Sequence, residues 1–312
     1  MINFMEANNL TRNFNKLIAV NKINFHIRTG EILGILGPNG AGKSTTISML
    51  SSLLAPTSGD ILLNGESILK DNATLRRILG VVPQDIALYP DLSGQENLEF
   101  FGRAYGLRGG QLKQRINEVL NLVGLTEKKN QLVASYSGGM KRRINIGCAL
   151  MHDPKLLIMD EPTVGIDPQS RNHILETVKQ LNQQGMTIIY TSHYMEEVEL
   201  LCQRIYIMDH GQIIATGTKD ELKALVASEY TIEVQVALIK DSFLTKIKEL
   251  SWVKETLLAD NIITIIGKKN DNGVTEVFKL ASDMKIELCG INIKTPTLED
   301  VFLSLTGRGL RN

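Results

Sequence analysis

The sequence predicts an α/β domain with a helical insertion, followed by a smaller α+β domain. Short apolar runs bounded by glycine or polar turns, as at 31–36 (EILGIL) and 155–160 (KLLIMD), are typical of buried parallel strands. Between about 93 and 152 the apolar pattern becomes almost wholly helical. A change of composition near 219–229 separates this domain from a region in which strand and helix patterns alternate. These observations predict two domains of different fold class.

Composition and charge exclude several classes of partner. The chain has 312 residues, 43% of them hydrophobic, and its 34 basic and 34 acidic residues cancel. A neutral protein exerts little long-range attraction on nucleic acid, so we expect no nucleic-acid partner. No apolar run approaches the roughly 18 residues that span a bilayer, so we expect no direct membrane span. The three cysteines have no metal-ligand spacing, which favours a reduced, cytoplasmic setting.

The first domain is predicted to take up residues 1–218. The segment 23–27 (INFHI) alternates apolar and polar residues, as a half-buried strand does, and 186–191 (MTIIYT) predicts a further buried strand. Three helical patterns lie between these strands: QENLEFFGRAYGL, QLKQRINEVLNLVGL and GMKRRINIGCALM. They predict a helical subdomain at about 85–152.

The second domain is predicted at 230–312, after a linker at 219–229. Its periodicities predict, in order, a strand at 230–238, a helix at 241–250, strands at 252–258 and 262–267, a helix at 273–284 and a strand at 286–293. This βαββαβ order is the ferredoxin-like pattern. A last short helix is expected to begin at Thr297, whose spacing to Asp300 resembles a capping box.

A glycine-rich segment at 37–45 (GPNGAGKST) matches the pattern G-x-x-x-x-G-K-[ST] between a predicted strand and a predicted helix. Such a P-loop curls so that its backbone N–H groups point at phosphate oxygens, and the helix dipole adds to them. Lys43 would place a charge on the β- and γ-phosphates, and Ser44 would offer a hydroxyl to Mg²⁺. The predicted phosphate-binding residues are Gly37, Pro38, Asn39, Gly40, Ala41, Gly42, Lys43, Ser44 and Thr45.

Two carboxylates follow the apolar run at 156–159. Asp160 stands at the end of the predicted strand, where it should lie beside the P-loop and complete the Mg²⁺ shell. Glu161 has no need to hold the metal and can polarise an attacking water. A solvent-facing acid at a strand end is the alternative. Because Asp160 precedes Glu161 and Pro162 follows it, we favour the catalytic interpretation.

A second glycine pair opens a basic helical run in SYSGGMKRR (135–143). The P-loop, this SGG loop and the DEP of 160–162, in this order and spacing, resemble the ATP-binding cassette (ABC) transporter ATPases over about residues 4–218. The resemblance implies a P-loop NTPase cassette with a RecA-like core and antiparallel β and helical subdomains, and it implies ATP and Mg²⁺ as cofactors. In that family the SGG loop is the signature motif, which meets the γ-phosphate of an ATP held by a second copy. A homodimer is therefore expected, with the signature formed by Ser137, Gly138, Gly139 and Met140.

The resemblance also assigns roles to isolated residues. Gln84 resembles the Q-loop glutamine, which contacts Mg²⁺ or the attacking water, and Asp167 resembles the D-loop aspartate. His193 resembles the switch histidine that senses the γ-phosphate. Phe14 lies where the family places an aromatic ring under the adenine, although a core phenylalanine is an alternative. The expected catalytic residues are Glu161, His193, Gln84 and Lys43, and the expected metal ligands are Ser44, Gln84 and Asp160.

Three short patterns resemble functional motifs, but we reject each of them. LSGQ (92–95) resembles a damaged signature, but it opens a helical run. NKIN (21–24) lacks the final aspartate of a GTPase guanine motif and precedes the P-loop, so guanine specificity has no support. KRR (141–143) is expected to form a solvated or phosphate-facing surface rather than a nucleic-acid patch.

Two segments with less specific similarities than the core motifs indicate a subgroup within the family. IALYPDLSGQENLEFFGRAYGL and the ending TPTLEDVFLSLTGR (295–308) resemble ATPases that serve two-subunit exporters of drugs, lipids, polysaccharides or ions. The resemblance implies integral membrane subunits that dock near residues 84–105 and hold the chain at the inner face of the cell membrane. The alternatives are a soluble ABC protein of repair or translation and a regulatory nucleotide-binding module. The expected docking cluster is Ile86, Leu88, Tyr89, Leu92, Phe100 and Phe101.

Overall fold

The computed structural model describes residues 3–226, 230–268, 270, 272–294 and 296–306. The chain divides into two compact units, one built from the chain up to Lys219 and the other from Asp220 onward. The strands of the first unit are β1 (Asn3–Phe14), β2 (Leu17–Arg28), β3 (Ile32–Leu36), β4 (Ser58–Leu63), β5 (Glu66–Ser67), β6 (Leu79–Val82), β7 (Leu156–Asp160), β8 (Thr187–Ser192), β9 (Arg204–Asp209) and β10 (Gln212–Gly217). Its helices are α1 (Lys43–Leu50), α2 (Ala73–Ile78), α3 (Gly94–Ala104), α4 (Gly109–Leu122), α5 (Gly138–Leu150), α6 (Pro168–Gln183) and α7 (Met195–Leu201).

A six-stranded sheet in the order β10-β9-β3-β8-β7-β6 forms the centre of the first unit. The neighbours from β9 to β6 run parallel, and β10 is antiparallel to β9. All residues of β3, β7 and β8 are buried, because helices and the second sheet cover both faces. The buried parallel strands predicted from the apolar runs are confirmed.

The second sheet of this unit is antiparallel, in the order β2-β1-β4-β5. In β2 the residues Ile23, Phe25 and Ile27 are buried while Asn24 is exposed, which confirms the half-buried strand. Side chains of this sheet pack with those of β3, β7 and β9 into one apolar core. Phe25 meets Tyr206 of the central sheet edge to face, with ring centroids 6.0 Å apart.

The helical subdomain contains α3, α4 and α5. The Ser93 hydroxyl accepts a hydrogen bond from the Glu96 N–H (3.2 Å), and the Glu96 carboxylate accepts one from the Ser93 N–H (2.8 Å). This capping box shows that the LSGQ segment starts a helix, as expected.

The expectation of a solvated or phosphate-facing surface at the KRR run was wrong for Arg142. Arg142 is buried, and it donates hydrogen bonds to the carbonyls of Pro83 (2.7 Å) and Gln84 (2.5 Å). Arg143 is half-buried and donates to the carbonyl of Val123 (3.1 Å). A run of charges in one helix turn points in several directions, so part of it faces the neighbouring loops instead of water.

The second unit begins with α8 (Lys219–Ala224), which forms inside the segment predicted as a linker and has Leu222 buried; residues 227–229 of that segment lie outside the described residues. The elements that follow are β11 (Tyr230–Val236), α9 (Asp241–Lys248), β12 (Val253–Ala259), β13 (Ile262–Gly267), α10 (Gly273–Asp283), β14 (Leu288–Lys294) and α11 (Leu298–Thr306). The sheet order is β12-β13-β11-β14, with every pair antiparallel, which is the ferredoxin-like arrangement.

Details at the ends of these elements differ from the predictions. Leu238, expected to continue the first strand, lies beyond it and is exposed. The predicted cap of α11 is present, since Thr297 Oγ1 accepts from the Asp300 N–H (3.2 Å) and Asp300 accepts from the Thr297 N–H (2.8 Å). The side chain of Tyr230, and residues 295, 307 and 308 of the C-terminal motif, lie outside the described residues.

Candidate active site

The parallel strands bring the predicted site segments to one edge of the central sheet. Leu36 at the end of β3 pairs with Ser192, and Asp160 at the end of β7 pairs with Thr191. The residues that follow each strand therefore emerge side by side. These are the P-loop after β3, Glu161 after β7 and His193 after β8, at the edge where ligands bind in open α/β sheets.

The P-loop requires glycine at two positions for steric reasons. A Cβ at Gly37 would overlap the carbonyl oxygen of Met208, and a Cβ at Gly42 would lie 2.6 Å from that of Ala19. Gly42 also has φ of 102°, a left-handed value that favours glycine. The loop leads directly into α1, so its N–H groups and the helix dipole point to the same place.

An open cavity of about 550 Å³ lies against the P-loop. Phe14 and Ile18 line it on one side, and Gln84, Glu161 and His210 line it elsewhere. Phe14 is 42% exposed, so it is not a core residue. The Arg12 guanidinium lies 4.6 Å from the centroid of its ring. An exposed aromatic face beside a phosphate-binding loop is suited to stacking on a base.

Asp160 and Glu161 are both buried and share one hydroxyl. Thr191 Oγ1 donates to Asp160 Oδ1 (2.7 Å) and accepts from the Glu161 N–H (2.9 Å). Glu161 has φ of 47°, a left-handed conformation that is costly for a residue with a side chain and is concentrated at functional sites. Sequence reasoning missed Thr191, because nothing in its own segment distinguishes it from other threonines in strands.

The Glu161 carboxylate is the point at which the expected catalytic residues meet. Lys43 Nζ lies 3.2 Å from Oε1, and it also donates to the carbonyl of Gly37 (2.7 Å). His193 Nδ1 lies 3.3 Å from Oε2, and Gln84 Nε2 donates to the same oxygen at 3.4 Å. Three segments far apart in sequence therefore converge on one buried acid.

The two glycines of the signature segment have different surroundings. A Cβ at Gly139 would overlap Ser170 of α6, so this glycine is needed for contact within its own chain. A Cβ at Gly138 would have no atom of the described chain within 4 Å. Ser137 caps α5 by accepting from the Met140 N–H (3.2 Å). Among the described residues that line the cavity, none belongs to 137–140.

Asp167 caps the neighbouring helix α6. Its carboxylate accepts from the Ser170 N–H (2.9 Å), and the bonds to Ser170 hold the pKa of this acid below its ordinary value. The starts of α5 and α6 therefore lie together, joined where Gly139 meets Ser170.

This fold and site define a P-loop nucleoside triphosphatase cassette. The family model described as "ABC transporter" matches residues 20–164. The chain is 51% identical to the linearmycin resistance ATP-binding protein LnrL of Bacillus subtilis, over 99% of this chain and 100% of the relative. It is 37% identical to the Nod factor export ATP-binding protein I of Cupriavidus metallidurans over 100% of both chains. It is 35% identical to the doxorubicin resistance ATP-binding protein DrrA of Mycobacterium tuberculosis over 93% of this chain and 89% of the relative.

Solved structures give the same answer. The structure of cbiO1 from Clostridium perfringens matches with TM-score 0.66 and 31% identity over 72% of this chain and 92% of that one. A dimeric cassette in a post-hydrolysis state with ADP and phosphate matches with TM-score 0.63 and 26% identity over 69% and 98%. The chain belongs to the ABC transporter family, as an ATP-binding and ATP-hydrolysing protein of the exporter group. In the part of the chain that the structure describes, no helix is long and apolar enough to cross a membrane.

Proposed function

We propose that this chain works as a homodimer beneath separate integral membrane subunits and couples ATP-driven closure of the dimer to export. The observation that carries the proposal is the division of the site: Lys43 and His193 meet at the Glu161 carboxylate, while none of the described residues that line the cavity belongs to 137–140 and Gly138 has open space around it. The relatives named for drug resistance and for Nod factor export support the exporter assignment. The chain would then lie in the cytoplasm, at the inner face of the membrane.

The proposed reaction is hydrolysis of the γ-phosphate. The P-loop N–H groups and Lys43 hold the phosphates, and the Phe14 ring stacks on the adenine. Glu161 takes a proton from water as the water oxygen bonds to the γ-phosphorus and the bond to the β-phosphate oxygen breaks. His193 positions the γ-phosphate, and Gln84 orients the water. The γ-phosphate would compete with the Glu161 carboxylate for Lys43, because the lysine touches that carboxylate.

The oxygen donors at this site fit Mg²⁺. Ser44 and Gln84 line the cavity together, and Asp160 ends the strand beside them. Hydroxyl, amide and carboxylate oxygens are the hard ligands that this ion prefers. When bound, the ion would neutralise charge on the β- and γ-phosphates. We propose Ser44, Gln84 and Asp160 as its protein ligands.

The proposed organisation follows the predicted boundaries: a nucleotide-binding domain at 1–218 and an accessory domain at 230–312. Within the first, the membrane subunit would dock near residues 84–105. Three apolar side chains of the docking cluster, Ile86, Tyr89 and Phe100, are exposed, and the other three are half-buried. The Tyr89 and Phe100 rings meet edge to face at 4.7 Å, which gives a compact aromatic patch on the surface. Exposed apolar patches of this kind mark interaction sites.

Tyr89→Asp tests the proposed function, because a charge in this patch would be buried without a partner on docking. The variant should lose co-purification with the membrane subunit from detergent extract while its basal ATPase activity stays within about twofold. Leu53→Asp is the matched control, since Leu53 is an exposed apolar residue (75%) outside 84–105. Full co-purification of folded Tyr89→Asp would refute this docking surface.

A further inference from the structure

Glu197 is a buried carboxylate that the proposed reaction does not use. It lies in α7 and is only 1% exposed. Its Oε2 accepts hydrogen bonds from three hydroxyls: Thr163 Oγ1 (2.8 Å), Tyr190 Oη (2.8 Å) and Ser192 Oγ (3.0 Å). Burying an ionised acid is costly unless it is bonded in this way. The three donors belong to two segments, the loop that follows Glu161 and the strand that leads to the switch histidine.

The other oxygen of this carboxylate faces α6. Arg171 Nε lies 2.6 Å from Glu197 Oε1. The Arg171 guanidinium also lies over the Tyr194 ring, 4.9 Å from its centroid. The Tyr194 ring in turn packs against the His193 ring at 4.2 Å. One carboxylate therefore reaches His193 by two routes, since the Tyr194 N–H also bonds to Ser192 Oγ at 2.9 Å.

The same carboxylate connects to the start of α6. Arg171 lies one turn after Asp167, the residue that caps this helix, and directly after Ser170, which meets Gly139. The loop of the catalytic base, the switch histidine and the helix beside the signature are thus joined through Glu197. Burial, and then the Glu197 charge, raise the pKa of Tyr190 well above its ordinary value, so that this hydroxyl remains a donor.

We propose that Glu197 is a positioning residue, which holds His193 in a fixed relation to Glu161 and α6 through Ser192 and through Arg171 and Tyr194. This inference rests on the proposed role of His193 toward the γ-phosphate. Without the carboxylate, three hydroxyls lose their acceptor and the Arg171 guanidinium is left with the exposed Glu196 carboxylate at 3.5 Å, so the loop at 192–194 gains alternative orientations. Catalysis is sensitive to small misplacements of this kind. Phosphate affinity depends instead on the P-loop, so turnover should suffer and ATP binding should not.

The test compares Glu197→Gln with wild-type full-length protein. We expect kcat to fall at least about tenfold while KM and Kd for ATP change by less than about twofold. The ¹³Cε1 resonance of His193, assigned by its loss in His193→Ala, should shift, and the resonances of the other four histidines should stay in place. A general loss of stability would not produce this selective change.

Glu31→Gln is the matched control. Glu31 is also a buried acid, and it pairs with Arg204 through both oxygens at 2.9 Å. It precedes β3, at the end of that strand away from the P-loop. We expect this variant to lower Tm but to leave kcat and the His193 resonance unchanged.

A second variant keeps the inference testable if Glu197→Gln fails to fold. Tyr194→Leu removes the ring between Arg171 and His193 at a half-buried position, and it should reproduce the kcat loss. An unchanged kcat in the folded variants, with an unchanged His193 resonance in Glu197→Gln, would overturn the inference. If His193→Ala itself keeps full turnover, the proposed role of His193 fails; if His193→Ala is inactive and the Glu197 and Tyr194 variants are normal, only the positioning role fails.

Discussion

Two helices of this chain begin at glycine-containing loops, and they differ in what their first turns face. α1 begins at Lys43 after Gly42, without a side-chain cap, and its first turn lines the cavity. α5 begins after Ser137, which caps it, and Gly138 in its first turn has open space around the position of a Cβ. The first N–H groups of an α-helix have no partner within the helix, and its start is the positive end of the dipole. Among the described residues, the proposed catalytic residues of the same chain surround the start of α1 and not the start of α5.

We infer from this difference that position in the fold decides which step a helix start controls. α1 follows β3, whose parallel neighbours deliver Glu161 and His193 to the same edge. α5 belongs to the helical subdomain, and its start contacts α6 instead. We therefore expect changes at α1 to act on nucleotide binding and chemistry within one chain. Changes at Gly138, on the open side of the α5 start, should act on activity only when two chains meet.

Glu161→Gln should give the largest effect, because it removes the proposed base beside α1. Hydrolysis should fall by about 100-fold or more, while the P-loop still binds ATP and the dimer remains closed with ATP present. Steady-state phosphate release and size-exclusion chromatography with ATP would measure this. A variant that keeps a tenth of wild-type turnover would show that Glu161 is not the essential base.

Lys43→Ala should weaken ATP binding itself, by about 30-fold, which is roughly 2 kcal/mol for a lost charged hydrogen bond. Gly138→Asp in the dilute single chain should leave the dissociation constant unchanged, because no described atom of its own site is near. Calorimetry on both variants would measure the dissociation constant for ATP and so separate the roles of the two helix starts. Equal losses of ATP affinity in the two variants would contradict it.

Gly139→Ala should destabilise the fold by about 1–3 kcal/mol, because the new methyl group overlaps Ser170. Gly138→Ala is the matched control, and it should be neutral or slightly stabilising because alanine is the better helix former. Urea unfolding curves give both values. The double variant Gly139→Ala/Ser170→Gly should recover stability, and no recovery would show that the strain lies elsewhere.

Ser137→Ala should have the smallest effect, a loss of about 1 kcal/mol from the α5 cap. Ser93→Ala at α3 is the control, since it removes the other serine cap of the helical subdomain by the same change. The expected difference is in ATPase activity, which Ser137→Ala should lower and Ser93→Ala should not. Equal activity in the two variants would leave Ser137 with a capping role alone.

Much of this architecture was predictable because short sequence patterns determine the strands and the motif positions. The apolar runs predicted the strands β3, β7 and β8. The P-loop pattern and the DEP segment pointed to Lys43 and Glu161 as candidate site residues. Contacts between distant segments were not predictable. Thr191 bridges the Asp160 carboxylate and the Glu161 backbone N–H. Arg142 donates to the carbonyl of Gln84, and Glu197 joins a loop, a strand and a helix. The partners of Thr191 and Arg142 lie at least 30 residues away, and Thr163 lies 34 residues from Glu197, so neighbours in sequence give no signal for these contacts.

The two glycines at 138–139 illustrate the same limit. Their sequence predicts a close approach of the backbone to another group, and it treats both glycines alike. The structure assigns a partner within the chain to Gly139 and open space to Gly138. Only the three-dimensional arrangement of α5 and α6 separates the two roles.

If the start of α5 completes the ATP site of a second copy, as we propose, two inactive variants should complement each other on mixing. Chains with Lys43→Ala and chains with Gly138→Asp should each be nearly inactive alone. A mixed dimer should contain one site built wholly from wild-type parts, so equal mixing should restore up to about one quarter of wild-type ATPase activity. Gly110→Asp is the matched control for the added charge, because a Cβ at Gly110 also has open space, and it should be active without mixing.

Cross-linking tests the dimer even if one intact site cannot hydrolyse ATP without the other. A Ser137→Cys chain mixed with an Asn39→Cys chain should form a covalent dimer when ATP is present. Both chains would carry Cys289→Ser, since Cys289 is the exposed cysteine. We expect recovered activity on mixing or, at least, the ATP-dependent cross-link between chains. No recovery on mixing, together with a cross-link that forms only inside a chain carrying both cysteines, would contradict it.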